Sequence, residues 1–199
     1  MTESSEAEKL SEKYTYADYL TWPDDERWEL INGDPCDMTP APKPRHQLVA
    51  MNLSGHIWFQ LRGNPCDVYH APFDVRFPPD PNTADDHAVD TVVQPDISVI
   101  CDPNKIDDRG CVGPPDLIIE ILSEETAGRD EETKFDLYEE HGVREYWIAN
   151  PRDRTVRIYN LNDNGKYGFP RLWTKLETAE SHAIQGLEVD LNEVFPDDQ

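Results

Sequence analysis

Glu120 ends the apolar stretch Leu117-Ile118-Ile119 within the run Asp116-Leu117-Ile118-Ile119-Glu120-Ile121-Leu122, whose apolar residues are nearly continuous. Such a run predicts a strand covered on both faces, where an ionised carboxylate persists only if it is paired or bound to a metal. For a lone glutamate, an edge position reaching solvent is the alternative. Asp96 changes that balance, because it follows Pro95 inside a second strand-like run, Thr91 to Ile100, between Val92-Val93 and Ile97. The stretch from Asp96 to Glu120 is long enough for one strand, a loop and the adjacent strand, which predicts the two carboxylates as neighbours. Together with a backbone carbonyl, for which Ile121 is the candidate, they supply half of an octahedral magnesium site. Water and a phosphate oxygen take the remaining positions, and manganese suits the same ligands.

A cation comes from further along the chain. Lys134, Leu137, Tyr138 and His141 fall on one stripe of a helix, and leucine and tyrosine mark that stripe as inward-facing. Lys134 is therefore expected to point at the sheet, where an ammonium group orients an attacking water and stabilises charge building on a phosphate. The alternative is an exposed i, i+4 pair with Asp130, a common and weak surface contact. The carboxylates favour the site.

The elements that must position these groups follow from pattern. Residues 1–13 are charged and nearly free of apolar side chains, as expected of a disordered leader, so the domain is expected over 14–199. A short helix capped by Thr15 comes first. Asn32-Gly33-Asp34 then separates two extended runs, a strong hairpin signal that puts Glu29 on a strand near a tight turn. Apolar residues recur at helical spacing from Arg45 to Leu61, including Leu48, Val49, Met51, Ile57 and Trp58. Strands are predicted at Val68 to Phe77 and Thr91 to Ile100, joined by a long acidic hairpin loop, Pro78 to Asp90. A loop over Cys101 to Pro115 leads to the Glu120 strand. After it come a helix over Gly128 to His141, stopped by Gly142, and a strand over Glu145 to Asn150, a unit expected to be parallel and right-handed. Arg154 to Leu161, Phe169 to Thr174 and Leu187 to Val194 complete an α/β domain with a mixed central sheet flanked by helices.

The formal net charge is −23, from 41 acidic against 18 basic residues. It repels a polyanion at long range and argues against a general nucleic-acid coat protein. A phosphodiester-cutting site is compatible with it, because the bound cation supplies the positive charge that meets the phosphate. Cys36, Cys66, Cys101 and Cys111 form no CxxC pair and have no histidine at zinc-ligand spacing, which reads as reduced thiols in a cytoplasmic protein. No HExxH, Walker loop, dinucleotide fingerprint or G-x-S-x-G elbow is present. Aromatic residues such as Trp28, Trp58, Tyr69, Tyr146, Trp147 and Tyr159 read as core or dimer surface, and Gln94 as structural.

From Pro95-Asp96 through Pro115-Asp116-Leu117-Ile118-Ile119-Glu120-Ile121-Leu122-Ser123 to Lys134, Tyr138, Gly142-Val143 and Glu145-Tyr146-Trp147, the chain resembles the Uma-two family of endonuclease-like proteins in the PD-(D/E)XK superfamily. The similarity runs from Tyr14 to about Phe195. It implies a restriction-endonuclease-like core, metal carried by Asp96 and Glu120, and hydrolysis of a phosphodiester. Two residues after Glu120 stands Leu122, where the superfamily usually has lysine. The resemblance moves that lysine to the following helix, where Lys134 fits. It also places an acidic residue, Glu29, near the metal and a histidine, His46, at the start of the long helix. A hairpin surface charge and a helix-terminal side chain are the respective alternatives.

The expected function is thus a magnesium-dependent nuclease with Asp96, Glu120, Lys134, Glu29 and His46 at its site, acting on nucleic acid, with DNA the expected substrate. Cutting a duplex calls for two sites and hence a homodimer. Two rivals stand beside it: a nuclease fold that no longer cuts and serves as a binding or regulatory module, and a metal-dependent hydrolase of a small phosphorylated compound.

Overall fold

The structure of the chain is a computed structural model describing residues 13–23, 25–38, 42–80, 85–123 and 129–196, with only the backbone at 129–131. The expected leader lies outside the described residues except for Lys13, whose ammonium pairs with Asp34 at 2.7 Å. Helix α1 (Tyr16–Tyr19) follows Thr15, which shares a reciprocal capping contact with Asp18. Strands β1 (Trp28–Ile31) and β2 (Asp34–Asp37) form the expected hairpin, Ile31 facing Asp34. Asn32 (φ 51°) and Gly33 (φ 79°) both take the left-handed backbone of a two-residue type I′ turn. Helix α2 (Pro44–Leu61) opens on a proline, whose missing N–H costs nothing there.

Two predicted strands are each divided in two. The run 68–77 becomes β3 (Asp67–His70) and β4 (Val75–Arg76), and the run 91–100 becomes β5 (Val92–Val93) and β6 (Ile97–Ile100). Pro95 has no N–H for a ladder, so the chain bends at Gln94-Pro95-Asp96 and passes from one sheet into another. Asp96 accordingly sits on that bend rather than in a strand interior. The expected loop 101–115 contains a 3-10 turn (Pro103–Lys105) and strands β7 (Ile106–Asp107) and β8 (Gly110–Val112). Then come β9 (Leu117–Ile121), α3 (Arg129–Glu140), β10 (Glu145–Asn150), β11 (Thr155–Asn160), β12 (Arg171–Thr174), β13 (Thr178–Glu180), β14 (Glu188–Asp190) and α4 (Leu191–Val194).

The N-terminal hairpin grows into a six-stranded sheet of order β2-β1-β5-β4-β8-β7, and a mixed sheet of order β12-β11-β10-β9-β6-β3 forms the centre. In the latter, β9 and β10 are parallel, as the strand-helix-strand pattern predicts, while β6 runs antiparallel to β9. Alternation along β9 sends Leu117, Ile119 and Ile121 to one face and Ile118 and Glu120 to the other. The first face packs on Val49, Leu53, Ile57 and Leu61 of α2, the second on Leu137 and Tyr138 of α3. Only part of the apolar pattern of α2 is inward: Leu48, Met51 and Trp58 are exposed, because the buried stripe repeats every four residues from Val49.

One carboxylate that looks like a site residue is structural. Glu145, fully buried, accepts from the backbone N–H of His182 and of Ala183 at 2.6 Å, from Ser181 Oγ at 3.2 Å and from the Trp147 indole. It ties the central sheet to the β13-β14 ribbon. Cys66 and Cys101 form a disulfide, which corrects the expectation of reduced thiols at those positions. The chain segments before β3 and after β6 are held side by side by the antiparallel pairing of Asp67 with Ile100, a proximity that spacing in sequence does not reveal.

Candidate active site

The register of β6 and β9 pairs Ile97 with Ile119, so the next step along each strand brings Asp96 and Glu120 opposite each other at the end of the ladder. Glu120 Oε2 lies 3.5 Å from the Asp96 backbone nitrogen. Asp96 Oδ2 accepts from the backbone N–H of Ile121 at 2.8 Å and lies 3.1 Å from His46 Nε2 on the first turn of α2. Helix α3 then brings Lys134 and Tyr138, one turn apart, over the same carboxylate. Lys134 Nζ donates to Glu120 Oε1 at 2.9 Å and to Glu29 Oε1 at 3.0 Å, and the Tyr138 hydroxyl donates to Glu120 Oε1 at 2.6 Å. Lys134 thus meets Glu120 and Glu29; the side chain of Asp130, its alternative partner, lies outside the described residues.

Glu29 is 5% exposed, so it is no hairpin surface charge. Its Oε1 also accepts from the backbone N–H of Gln94 at 2.9 Å, which links β1 to the bend that carries Asp96. The Gln94 side chain is itself fixed, donating to Asp74 at 2.9 Å and to the Tyr19 hydroxyl at 3.1 Å and accepting from Arg27 at 3.1 Å. Every residue singled out in the sequence as a site candidate, Asp96, Glu120, Lys134, Glu29, His46 and the main chain of Ile121, is therefore brought to one place, where the two sheets and both long helices meet. Tyr138 was legible only as a stripe member; its position one turn from Lys134 is the signal that assigns it here.

Burial pushes the Glu120 carboxyl up to about 7, against the Lys134 ammonium that pulls it down, with the Asp96 and Glu29 charges adding to the rise. Burial alone would weaken the Lys134 cation, yet Glu120 and Glu29 hold it well above its ordinary range. For His46, burial is likewise outweighed, here by the Asp96 carboxylate, which raises the imidazole above its usual value. Burial and the Glu120 charge keep the Tyr138 phenol protonated far above neutrality.

The sequence model of the Uma2 family, described as "Putative restriction endonuclease", matches residues 16–192. The chain belongs to the Uma2 family. An uncharacterised protein of Synechocystis sp., slr1290, is 25% identical to this Uma2 chain over 158 residues, 78% of each of the two proteins. A crystal structure from Anabaena variabilis, described as "a putative nuclease belonging to DUF820", superposes with a TM-score of 0.70 at 18% identity, covering 92% of this chain and 97% of that one. At that identity the likeness is one of fold: the Uma2 chain has the architecture of that nuclease-like protein.

Whether the Uma2 site fits a divalent ion turns on its donor chemistry. Among the described residues no three His, Cys, Asp or Glu side chains form a ready-made cage. Two hard anionic residues stand opposite each other at the end of the β6-β9 ladder, Asp96 and Glu120, with the Glu120 carboxylate 3.5 Å from the Asp96 backbone nitrogen; the Ile121 N–H is spent on Asp96, so the carbonyl is the donor that residue has to offer. One or two carboxylates completed by water suit magnesium, which gives up its hydration shell reluctantly. Asp96, with a side chain 19% exposed against 12% for Glu120, is the more accessible of these two acids.

Proposed function

We propose that this chain is a divalent-metal-dependent nuclease that hydrolyses phosphodiester bonds, with DNA as the substrate class and a homodimer as the form that cuts a duplex. The observation that carries the reading is the convergence of Asp96, Glu120 and Lys134 from a bend, a strand and a helix that are far apart in sequence. Asp96, Glu120 and the Ile121 backbone carbonyl would hold the ion. When bound, magnesium or manganese supplies Lewis acidity toward the phosphate and charge for the departing oxygen.

The chain's own residues do the rest. The Lys134 ammonium orients the attacking water and meets the charge building on the phosphoryl oxygens. Glu29, fixed by the Gln94 N–H, holds Lys134 in place from the side away from α3. His46 and the Ile121 N–H fix the Asp96 carboxylate in one orientation, and the Tyr138 hydroxyl does the same for Glu120.

Cleavage of plasmid, single-stranded DNA and RNA by purified protein, with magnesium, manganese or chelator, tests this. Metal-stimulated cutting that falls on the order of 100-fold or more in Asp96→Ala is expected. Absence of such cutting on every substrate overturns it. The net charge of −23 favours one rival, a nuclease fold retained for binding. Calorimetric titration with magnesium separates the two, since a retired site binds the ion no better than its Glu120→Gln variant does.

A further inference from the structure

Helix α2 carries two apolar faces, and the core covers one of them. Val49, Leu53, Ile57 and Leu61 pack inward on the central sheet. Leu48, Met51, Gly55, Trp58 and Phe59 recur at steps of three and four residues and share the opposite face. Its apolar side chains are exposed, Met51 to 70%, Trp58 to 58% and Phe59 to 67%, and Leu48 with them. Arg62 extends the stripe by a turn, its guanidinium 5.5 Å from the Trp58 ring centroid and 5.9 Å from that of Phe59. A contiguous patch of this kind marks an interaction surface, where scattered single residues would not.

Charge and shape say what covers it. The chain has 41 acidic residues, yet none stands between Asp37 and Asp67, the stretch that contains all of α2. Two copies of a chain of net charge −23 repel wherever their acidic surfaces meet. Helix α2 adds nothing to that repulsion, and Glu193 on its flank is paired with His56 at 3.2 Å. The face is also self-complementary. Gly55 lies midway between Met51 and Phe59 and midway between Leu48 and Arg62, so two α2 helices crossing antiparallel there set Met51 against the partner's Phe59 and Leu48 against the partner's Arg62. Nothing lies within 4 Å of where a Cβ on Gly55 would sit, which leaves the crossing point open to a second backbone. An aromatic side chain buries about 150–250 Å², so the exposed parts of Trp58 and Phe59 offer about 200–300 Å² per copy. With Leu48, Met51 and the stem of Arg62, two copies reach on the order of 1,000 Å², the smallest area of a specific interface.

We propose that the outward face of α2 is the surface through which two copies of this chain associate, antiparallel about Gly55. It names the interface of the duplex-cutting homodimer and rests on the nuclease reading for that purpose, while the association itself requires no cleavage. His46, on the first turn of the same helix, faces inward to Asp96, so closing the outer face does not involve it.

The test is sedimentation equilibrium of the purified full chain over a concentration series. A reversible rise from the 22.9 kDa monomer to twice that mass is expected, with a dissociation constant on the order of 1–100 µM, as suits an interface at the small end of the range. Phe59→Glu is expected to weaken association about 100-fold. Gly55→Leu is the sharper variant. Its side chain has open space in the monomer and replaces a helix-weakening glycine, so thermal stability is kept or raised, while the added bulk holds two helices apart and weakens association about tenfold or more. Leu172→Glu, at an exposed leucine on β12, is expected to leave the dissociation constant unchanged. Circular dichroism confirms that the variants are folded. A chain still monomeric at about 200 µM, association that both α2 variants leave unchanged, or association lost in Leu172→Glu overturns the proposal. Monomeric protein that floats with phosphatidylcholine vesicles, and no longer does so as Phe59→Glu, also overturns it by assigning the face to a membrane. Cleavage of single strands assayed in parallel keeps the two readings apart. Cutting by a chain that never associates removes the interface and leaves the metal site, and association through α2 without any cutting does the reverse.

Discussion

Lys134 on α3 lies 2.9 Å from Glu120 on β9, although the two are 14 residues apart in sequence. The strand itself offers Leu122 where a cation two residues after the acid is the usual arrangement in the superfamily that the sequence resembles. The helix that crosses over β9 supplies the ammonium instead. Because Glu29 grips the same nitrogen from the other sheet, the cation is held at both ends of its reach.

Lys134→Met is expected to abolish metal-stimulated cleavage by about 100- to 1,000-fold, by removing the group that meets transition-state charge. It also leaves Glu29 and Glu120 without their cation, a loss of about 3–5 kcal/mol when a buried pair is broken. Urea unfolding of the metal-free protein, alongside single-turnover cleavage, measures both. Wild-type stability in the variant would show that the ion pair contributes nothing to folding.

Tyr138→Phe keeps the ring against Phe77 and Tyr146 and deletes only the donor to Glu120. Stability is expected to fall by about 1–3 kcal/mol, as for a lost hydrogen bond to a charged group. Cleavage falls about tenfold, with its apparent metal affinity reduced more than its rate at saturating metal. A metal titration of activity reads that split.

Glu145→Ala provides the contrast. It strips the acceptor from His182, Ala183, Ser181 and Trp147 and is expected to cost about 3–5 kcal/mol of stability. Because Glu145 faces the β13-β14 ribbon and not Lys134, the fraction that remains folded should bind magnesium like the wild type. Denaturation paired with calorimetry below the melting transition checks this.

Cys111 predicts an alkaline limit to stability. Burial pushes its thiol up to about 12 from an ordinary value near 9, against the opposing charges of Lys105 and Arg76. The unfolded chain loses this proton from about pH 9. The thiol's contribution is therefore complete below pH 9 and declines as pH rises toward 12, by at most about 1.4 kcal/mol per pH unit. Urea midpoints between pH 8 and pH 11 should show a shallower decline in Cys111→Ala than in the wild type.

What the sequence determined by itself is local chemistry and order along the chain. The Asn32-Gly33 turn, the helix ending before Gly142, the doubly covered Glu120 strand and its parallel partner are each written in short-range pattern, because turns, caps and period-two burial depend on neighbours in sequence. The acids and the inward lysine were visible for the same reason: a charge in an apolar run or on an apolar stripe is costly unless something meets it. Tertiary structure alone decided the partners. Pro95 breaks what reads as one strand and hands Asp96 from one sheet to the other; Gln94 clamps Glu29 beside that bend; and Cys66 meets Cys101. These relationships join residues from remote elements, and no periodicity encodes them, since contact across a fold is set by how the sheets and helices close on a common core.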